Sequence, residues 1–416
     1  MAERLCVYRD SRLVGTLERE RTLTFAYTDA IVADPPESIL VSASLKVRAR
    51  PYSERELLPF FDGLLPEGTA RERLADRFHV DYGDVFGLLR ELGRDCAGAL
   101  TILPEGDDPE LEAGQGVLWL KGASLAELVD NLDQRPLGVQ PEKDVRLSLA
   151  GVQDKAVVVV DPQTGMIGLP KGTTPSTHLL KPAPKGNYPG LVLNEAYCSV
   201  LAEEAGLAVA CVNLITVEGS PVLLVERYDR RRIGDSVERL HQEDFCQALR
   251  VTASKKYQAE GGPDLRRMVE FLNRISSDAA ADVERLLQWE LFNFLVGNSD
   301  GHAKNLSMLY SDQNRLAPAY DLVSTKMFDL KPDMGQSIGG EYLPDRIGRG
   351  QWEAECRRLG LNSRLVLSQL DEFASRVVEA RPRADARLQA SGHWNEGLES
   401  IGRLIRARAE AIAERV

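Results

Sequence analysis

Paired cysteines, long apolar runs and an excess of basic charge are all missing from this chain. Its six cysteines (Cys6, Cys96, Cys198, Cys211, Cys246, Cys356) are scattered, with no Cys-x-x-Cys pair and mostly apolar neighbours. That pattern supports neither a zinc site nor a disulfide frame and reads as reduced, buried thiols. No apolar run approaches the roughly 18 residues of a membrane span. The N-terminus, Met1 to Asp10, lacks the apolar core of a signal segment. A soluble cytoplasmic protein that does not engage membranes is expected. The formal net charge of −12 argues against a large non-specific nucleic-acid surface, so any DNA contact would be local or come through a partner. Internal repeats and low-complexity tracts are also lacking.

What is present is ample apolar content. With 416 residues and 43% hydrophobic side chains, the chain predicts two or three domains, each with a full core and without metal or disulfide staples. Short strands are expected at Leu5–Tyr8, Arg12–Leu17 and Leu23–Tyr27, then helices at Thr69–Phe78 and Asp84–Leu92, then a strand near Leu100. This makes a first α+β unit over residues 1–105, closed by the linker Pro104 to Glu110. A strand-rich stretch, 106–229, carries strands at Ala156–Val160, Met166–Leu169, His178–Lys181, Ala210–Val217 and Val222–Arg227. Helices are expected at Ser124–Leu132 and Leu193–Ala205, the latter with Glu195 in its first turn, where it could also reach Lys181. From 230 to 416 the pattern is helical: Gln242–Leu249, Leu265–Ile275, Ala279–Val296, Trp352–Leu359, Ser363–Ala380 and His393–Val416. Strands first and helices afterwards predict a two-lobed body with a cleft between.

The helix ending at Val296 delivers a polar loop, Gly297 to Asn305. Asp300 and Asn305 stand at the Asp-x-x-x-x-Asn spacing by which protein kinases place a catalytic base and a metal-binding amide. After a strand pair (Leu306–Tyr310 and Arg315–Ala317) comes Tyr320-Asp321, where a kinase puts its second metal-binding carboxylate. The spacing alone is weak, because a capped turn uses the same residues, with Asn298, Ser299 and Asp300 meeting free backbone donors. Ala150 to Lys155 lie between strands as a phosphate-covering hairpin would, with Lys181 behind them. Gly151 alone is not a glycine-rich loop, and an ordinary hairpin reads equally well there. Trp289, Phe294 and Trp352 read as core.

Several stretches together resemble one family, the HipA kinases of bacterial toxin–antitoxin modules. They are Phe60 to Gly68, Gly93 to Leu100, Ser148 to Lys155, Pro170 to His178, Val225 to Arg230, His241 to Asp244, Lys256-Tyr257 with Gly261 to Pro263, Asp300 to Asn305, and Tyr320-Asp321. The resemblance spans nearly the whole chain in order. It implies an α+β, two-lobed protein-kinase-like fold, with a strand-rich N-terminal lobe, an extra N-terminal subdomain and an all-helical C-terminal lobe.

By that resemblance Asp300 is the catalytic aspartate, and Asn305 and Asp321 are the Mg2+ ligands. Lys181 is the ATP-phosphate lysine, while Glu226, Arg227 and Tyr228 form the adenine hinge. Ala150, Gly151, Val152, Gln153, Asp154 and Lys155 form the phosphate-binding loop; Asp154 replaces a common glutamate and keeps its charge. His302, Ala303, Lys304 and Tyr320 line the nucleotide site. Ser148 falls where the family carries an autophosphorylated serine, and about two added negative charges there would expel the loop from ATP phosphates.

The implied activity is ATP- and Mg2+-dependent serine/threonine phosphorylation of a translation component, typically an aminoacyl-tRNA synthetase, giving growth arrest and persistence. The implied partner is a helix-turn-helix HipB-type antitoxin, which would carry most of the contact with operator DNA. Two other readings stand beside it. One is a catalytically silent co-repressor, from which at least one of Lys181, Asp300, Asn305 and Asp321 would be expected to have been lost. The other is a small-molecule kinase of the aminoglycoside-phosphotransferase sort, which leaves the N-terminal unit and Ser148 unexplained.

Overall fold

The computed structural model describes residues 3–36, 39–109, 116–140, 154–186 and 188–413. The chain forms two compact units, each assembled from separate stretches. The first comprises Met1–Pro182, Ile215–Ala253 and Leu309–Asp312, and the second Ala183–Leu214, Ser254–Met308 and Gln313–Val416.

The two largest sheets lie in the first unit. One has the order Tyr52–Ser53, Leu23–Tyr27, Arg12–Arg19, Glu3–Arg9, Leu100–Pro104. Alternation in Leu23–Tyr27 turns Leu23, Phe25 and Tyr27 inward, where Phe25 meets Tyr27, Tyr52 and Phe61. Period-2 burial of this kind makes a half-covered strand. The other sheet runs Val212–Val217 (entering this unit at Ile215), Ser220–Glu226, His178–Pro182, Ala156–Val160, Ile167–Lys171, Gly116–Trp119.

A buried ionic network stitches three of the quoted stretches together inside this unit. Asp95 is wholly buried; its Oδ1 accepts from Arg230 Nη2 at 2.8 Å and Arg239 Nε at 3.4 Å. Its Oδ2 accepts from Ser176 Oγ at 2.5 Å and Arg227 Nη1 at 3.4 Å. Arg227 also forks onto Asp229 at 2.9 and 2.7 Å, and Asp229 accepts the Gly98 N–H at 2.7 Å. Burial pushes the Asp95 carboxyl up, but Arg230, Arg227 and Arg239 outweigh it and hold it below the usual carboxylate range.

Close by, Glu243 accepts from Ser42 Oγ at 2.5 Å, Ala43 N at 2.8 Å and Tyr310 Oη at 2.6 Å. This explains one departure from expectation. His241–Asp244 is a strand and only Phe245–Ala248 is helical, because an extended backbone presents Glu243 to those donors. Asp244 then caps the short helix by exchanging bonds with Gln247 at 2.8 Å in each direction. A hairpin of Arg230–Ile233 and Ser236–Arg239 precedes it, so residues after 230 are less uniformly helical than the periodicity predicts.

The second unit is largely helical: Leu191–Glu204, Leu265–Ile275, Ala279–Val296, Arg349–Leu359, Ser363–Ala390 and Glu396–Ala413. The first of these starts earlier than expected, so Glu195 falls in its second turn rather than its first. Ser363–Ala390 runs 28 residues straight through Pro382. Beyond the proline, Arg383 and Arg387 pair with Glu204 and Glu203 at 2.8 and 2.7 Å, contacts that offset a lost backbone bond. Of the six cysteines only Cys211 is exposed, and none is in a disulfide. Among the described residues no helix is long and apolar enough to cross a membrane.

Two stability tests follow from these interiors. Asp95→Asn leaves buried guanidinium groups short of a counter-charge and should cost about 3–5 kcal/mol, measured by urea unfolding of the full chain. Glu290, on Ala279–Val296, is fully buried, with no hydrogen bond to either carboxyl oxygen among the described residues. Burial, with Glu355 adding repulsion, raises its pKa well above the ordinary value. An acid held protonated when folded but ionised when unfolded loses stability as pH rises past its unfolded value of about 4.3. Glu290→Gln should therefore melt with the wild type near that pH and increasingly above it toward neutrality, followed by calorimetry across pH.

Candidate functional site

The loop after Val296 begins with Gly297 in the left-handed region at φ 75°, an αL helix stop that glycine takes without a Cβ clash. Asn298 then does the work of the turn. Its Nδ2 donates to Asn293 Oδ1 at 2.9 Å, and its Oδ1 accepts the Asp300 N–H at 3.0 Å. Thr325 braces the other side, its hydroxyl donating to Gly297 O at 2.9 Å and accepting the Ser299 N–H at 2.7 Å. With these donors met, the Asp300 carboxylate caps no backbone among the described residues. It is half exposed, accepts from the Tyr257 hydroxyl and lies 3.7 Å from His302 Nε2. The capped turn is real, but Asn298 makes it, and the Asp300 carboxylate takes no part in it.

Asn305 is held beside it. Its Nδ2 donates to Asp300 O at 3.3 Å and its N–H to His302 O at 2.9 Å. The amide is thereby turned so that Oδ1 is left as an acceptor. Tyr320 Oη donates to Lys304 O and meets Ser307 Oγ, both at 2.7 Å, which ties the segment carrying Asp321 to the Asp300 loop. Asp321 itself adopts φ 54°, a left-handed conformation that aspartate tolerates better than most residues. An amide oxygen and a carboxylate are the hard oxygen donors that Mg2+ prefers, so the donor set fits that ion. His302, Ala303 and Lys304 are buried in the loop.

The second half of the expected set lies in the first unit. Lys181 is buried in His178–Pro182, and Lys155 is buried immediately before Ala156. Ala156 pairs with Leu180, so the two lysines stand opposite each other, one position further along the ladder, and project to one face. Glu226 pairs with His178 and is exposed, whereas Arg227 spends its guanidinium in the Asp95 network. The Arg227 N–H and carbonyl are also engaged, with Thr177 O at 2.9 Å and Arg230 N at 3.1 Å. Asp154 is described; Ser148 and Ala150, Gly151, Val152 and Gln153 lie outside the described residues.

Two features escaped the reading of the sequence. Tyr257, quoted only as part of a motif, bonds directly to Asp300. Gly335 packs backbone to backbone on the loop, and a Cβ there would stand 2.3 Å from Gly301 O. A glycine amid Met334-Gly335-Gln336-Ser337 carries no marker of such an approach.

Comparison with known proteins identifies two family segments: a HipA N-terminal domain at residues 5–103 and a HipA-like C-terminal domain at residues 147–381. A putative kinase, Y4mE of Sinorhizobium fredii, is 42% identical over 389 residues, covering 91% of each chain. The serine/threonine-protein kinase toxin HipA of Shewanella oneidensis is 34% identical over 344 residues, covering 79% of this chain and 77% of the relative. Among solved structures, one chain of the Shewanella oneidensis toxin–antitoxin complex of HipA, HipB and operator DNA superposes with a TM-score of 0.84. It has 26% identity and covers 98% of this chain and 97% of that one.

The Gly335 approach is directly testable. Gly335→Ala should destabilise the chain by about 1–3 kcal/mol through overpacking. Gly350→Ala, where a Cβ meets open space on a helix, should stabilise it by up to about 1 kcal/mol. Parallel denaturant melts decide both.

Proposed function

The chain belongs to the HipA kinase family and is a serine/threonine protein kinase, and we propose that it is the toxin of a toxin–antitoxin module. The observation that carries the chemistry is the state of Asp300: a half-exposed carboxylate on a braced loop, with Asn298 relieving it of structural duty. In the proposed reaction Asp300 accepts the proton of a serine or threonine hydroxyl as its oxygen bonds to the γ-phosphorus of ATP. The bond to the bridging oxygen breaks and ADP leaves.

Lys181 and Lys155 balance the phosphate charge, and Ala150 to Asp154 cover it. Glu226 and Tyr228 meet the adenine. Asn305 Oδ1 and the Asp321 carboxylate would hold Mg2+, which neutralises charge on the phosphate oxygens when bound. His302, Ala303, Lys304 and Tyr320 shape the loop around these groups.

Relatives suggest the setting. The Shewanella oneidensis complex contains HipB and operator DNA, which supports a HipB-type helix-turn-helix antitoxin as partner here. The net charge of −12 fits an arrangement in which the antitoxin supplies most of the basic surface for DNA. The proposed substrate is an aminoacyl-tRNA synthetase, whose modification would arrest translation. Ser148 is the proposed autophosphorylation site, through which the kinase turns itself off.

Intact-mass measurement after incubation with ATP and Mg2+ tests this reading. The wild type should gain one phosphate, mapped to Ser148, and Asp300→Asn should gain none while still binding nucleotide. No gain in protein that starts unphosphorylated would instead favour a silent co-repressor. Loss of nucleotide binding in Asp300→Asn would remove Asp300 from the role of base.

A further inference from the structure

The Tyr257 hydroxyl donates to Asp300 Oδ1, and its ring stands edge-on to His302, with centroids 5.1 Å apart at 78°. This tyrosine is held by its own backbone. Tyr257 O accepts from Glu260 N at 3.0 Å and Gly262 N at 2.9 Å. The turn closes because Gly261 takes φ 90° and because Gly262 has no Cβ, which would stand 2.5 Å from Lys255 O and 2.7 Å from Tyr257 O. On the other side, Ala303 N donates to Lys256 O at 3.4 Å, fastening the turn to the loop that carries Asp300. Tyr257 is thus a post fixed at its base, with its hydroxyl on the carboxylate.

The consequence concerns which oxygen is available. Rotation of an aspartate carboxylate is soft, and a half-exposed one samples many orientations unless something holds it. Oδ1 is the oxygen engaged by Tyr257 and faced by His302 Nε2, which leaves Oδ2 for an incoming hydroxyl.

We propose that Tyr257 is a positioning residue for phosphoryl transfer, its hydroxyl fixing the Asp300 carboxylate so that Oδ2 faces the acceptor. This rests on the reading of Asp300 as the base. A hydrogen bond to a charged group limits rotation, and alignment of base and nucleophile contributes to turnover rather than to nucleotide binding.

The test compares wild type, Tyr257→Phe, Tyr257→Ala and Asp300→Asn in the full chain, reading ADP formation from ATP and Mg2+, intact mass and thermal melting. Phenylalanine keeps the ring on His302 and removes only the hydroxyl, so its melting temperature should match the wild type. Its single-turnover rate of phosphate gain at saturating ATP should fall about ten- to hundredfold with the ATP concentration for half-maximal rate unchanged, and alanine should be at least as slow. A fully active Tyr257→Phe beside an impaired Tyr257→Ala overturns the proposal, because the ring alone would then matter. A rise in the ATP concentration for half-maximal rate at an unchanged maximal rate also overturns it, as does phosphate found on Tyr257, which would make that hydroxyl a nucleophile. Activity retained in Asp300→Asn fails the base assignment itself, an outcome distinct from any result at Tyr257.

Discussion

A carboxylate taken out of water is stable only among cations, and Asp95 is where the first unit meets that condition. It brings Arg227, Arg230 and Arg239 to one buried point, and Arg227 and Arg230 carry Asp229 with them. The stretches involved are far apart in sequence: Gly93 to Leu100, Pro170 to His178, and Val225 to Arg230. Ser176, bonded to Asp95, lies two residues before His178, so the network fixes one end of the strand that bears Lys181. Buried ion pairs of this kind are poor sources of net stability because desolvation opposes them. Their value here is geometric: any other register would strand a charge inside the protein.

The same logic separates structural from chemical residues in the second unit. Asn298, Thr325 and Tyr320 satisfy backbone groups of the Asp300 loop, and their side chains are consumed in doing so. Asp300 and Asn305 are left with oxygens to offer. A short polar loop can present reactive groups only when other polar groups have already met its own backbone demand. The density of Asn, Ser, Asp and Thr around residues 297–305 and 325 reflects that double requirement.

Much of this was legible in the sequence because periodicity and spacing are local. Ala279–Val296 and Leu265–Ile275 occur where expected, since long amphipathic runs leave little competition. The Asp300 and Asn305 spacing led to the loop that bears them. Illegible were features set by distant partners. Gln242 looks helical by pattern, yet Glu243 must reach Ser42, Ala43 and Tyr310, and tertiary bonds override the local preference. Arg227 reads as a hinge residue, but its side chain answers to Asp95, on the other side of the sequence. Gly335 and Tyr257 matter only through approaches that no window of sequence contains.

Asp321 shows how such distant partners act on one backbone. A non-glycine residue in the left-handed region costs about 1–3 kcal/mol when its surroundings impose it, so it persists only where both flanks are fixed. On one side Tyr320 is anchored at Lys304 O and Ser307. On the other, Ser324 is gripped twice by Asn194, whose Oδ1 accepts its N–H at 2.8 Å and whose Nδ2 donates to its carbonyl at 3.0 Å. The backbone is thus anchored on both flanks, and Leu322 between them is buried in the interior. If Asp321 is the Mg2+ ligand proposed above, its backbone is set before any ion arrives, and the cost of setting it falls on folding rather than on each turnover.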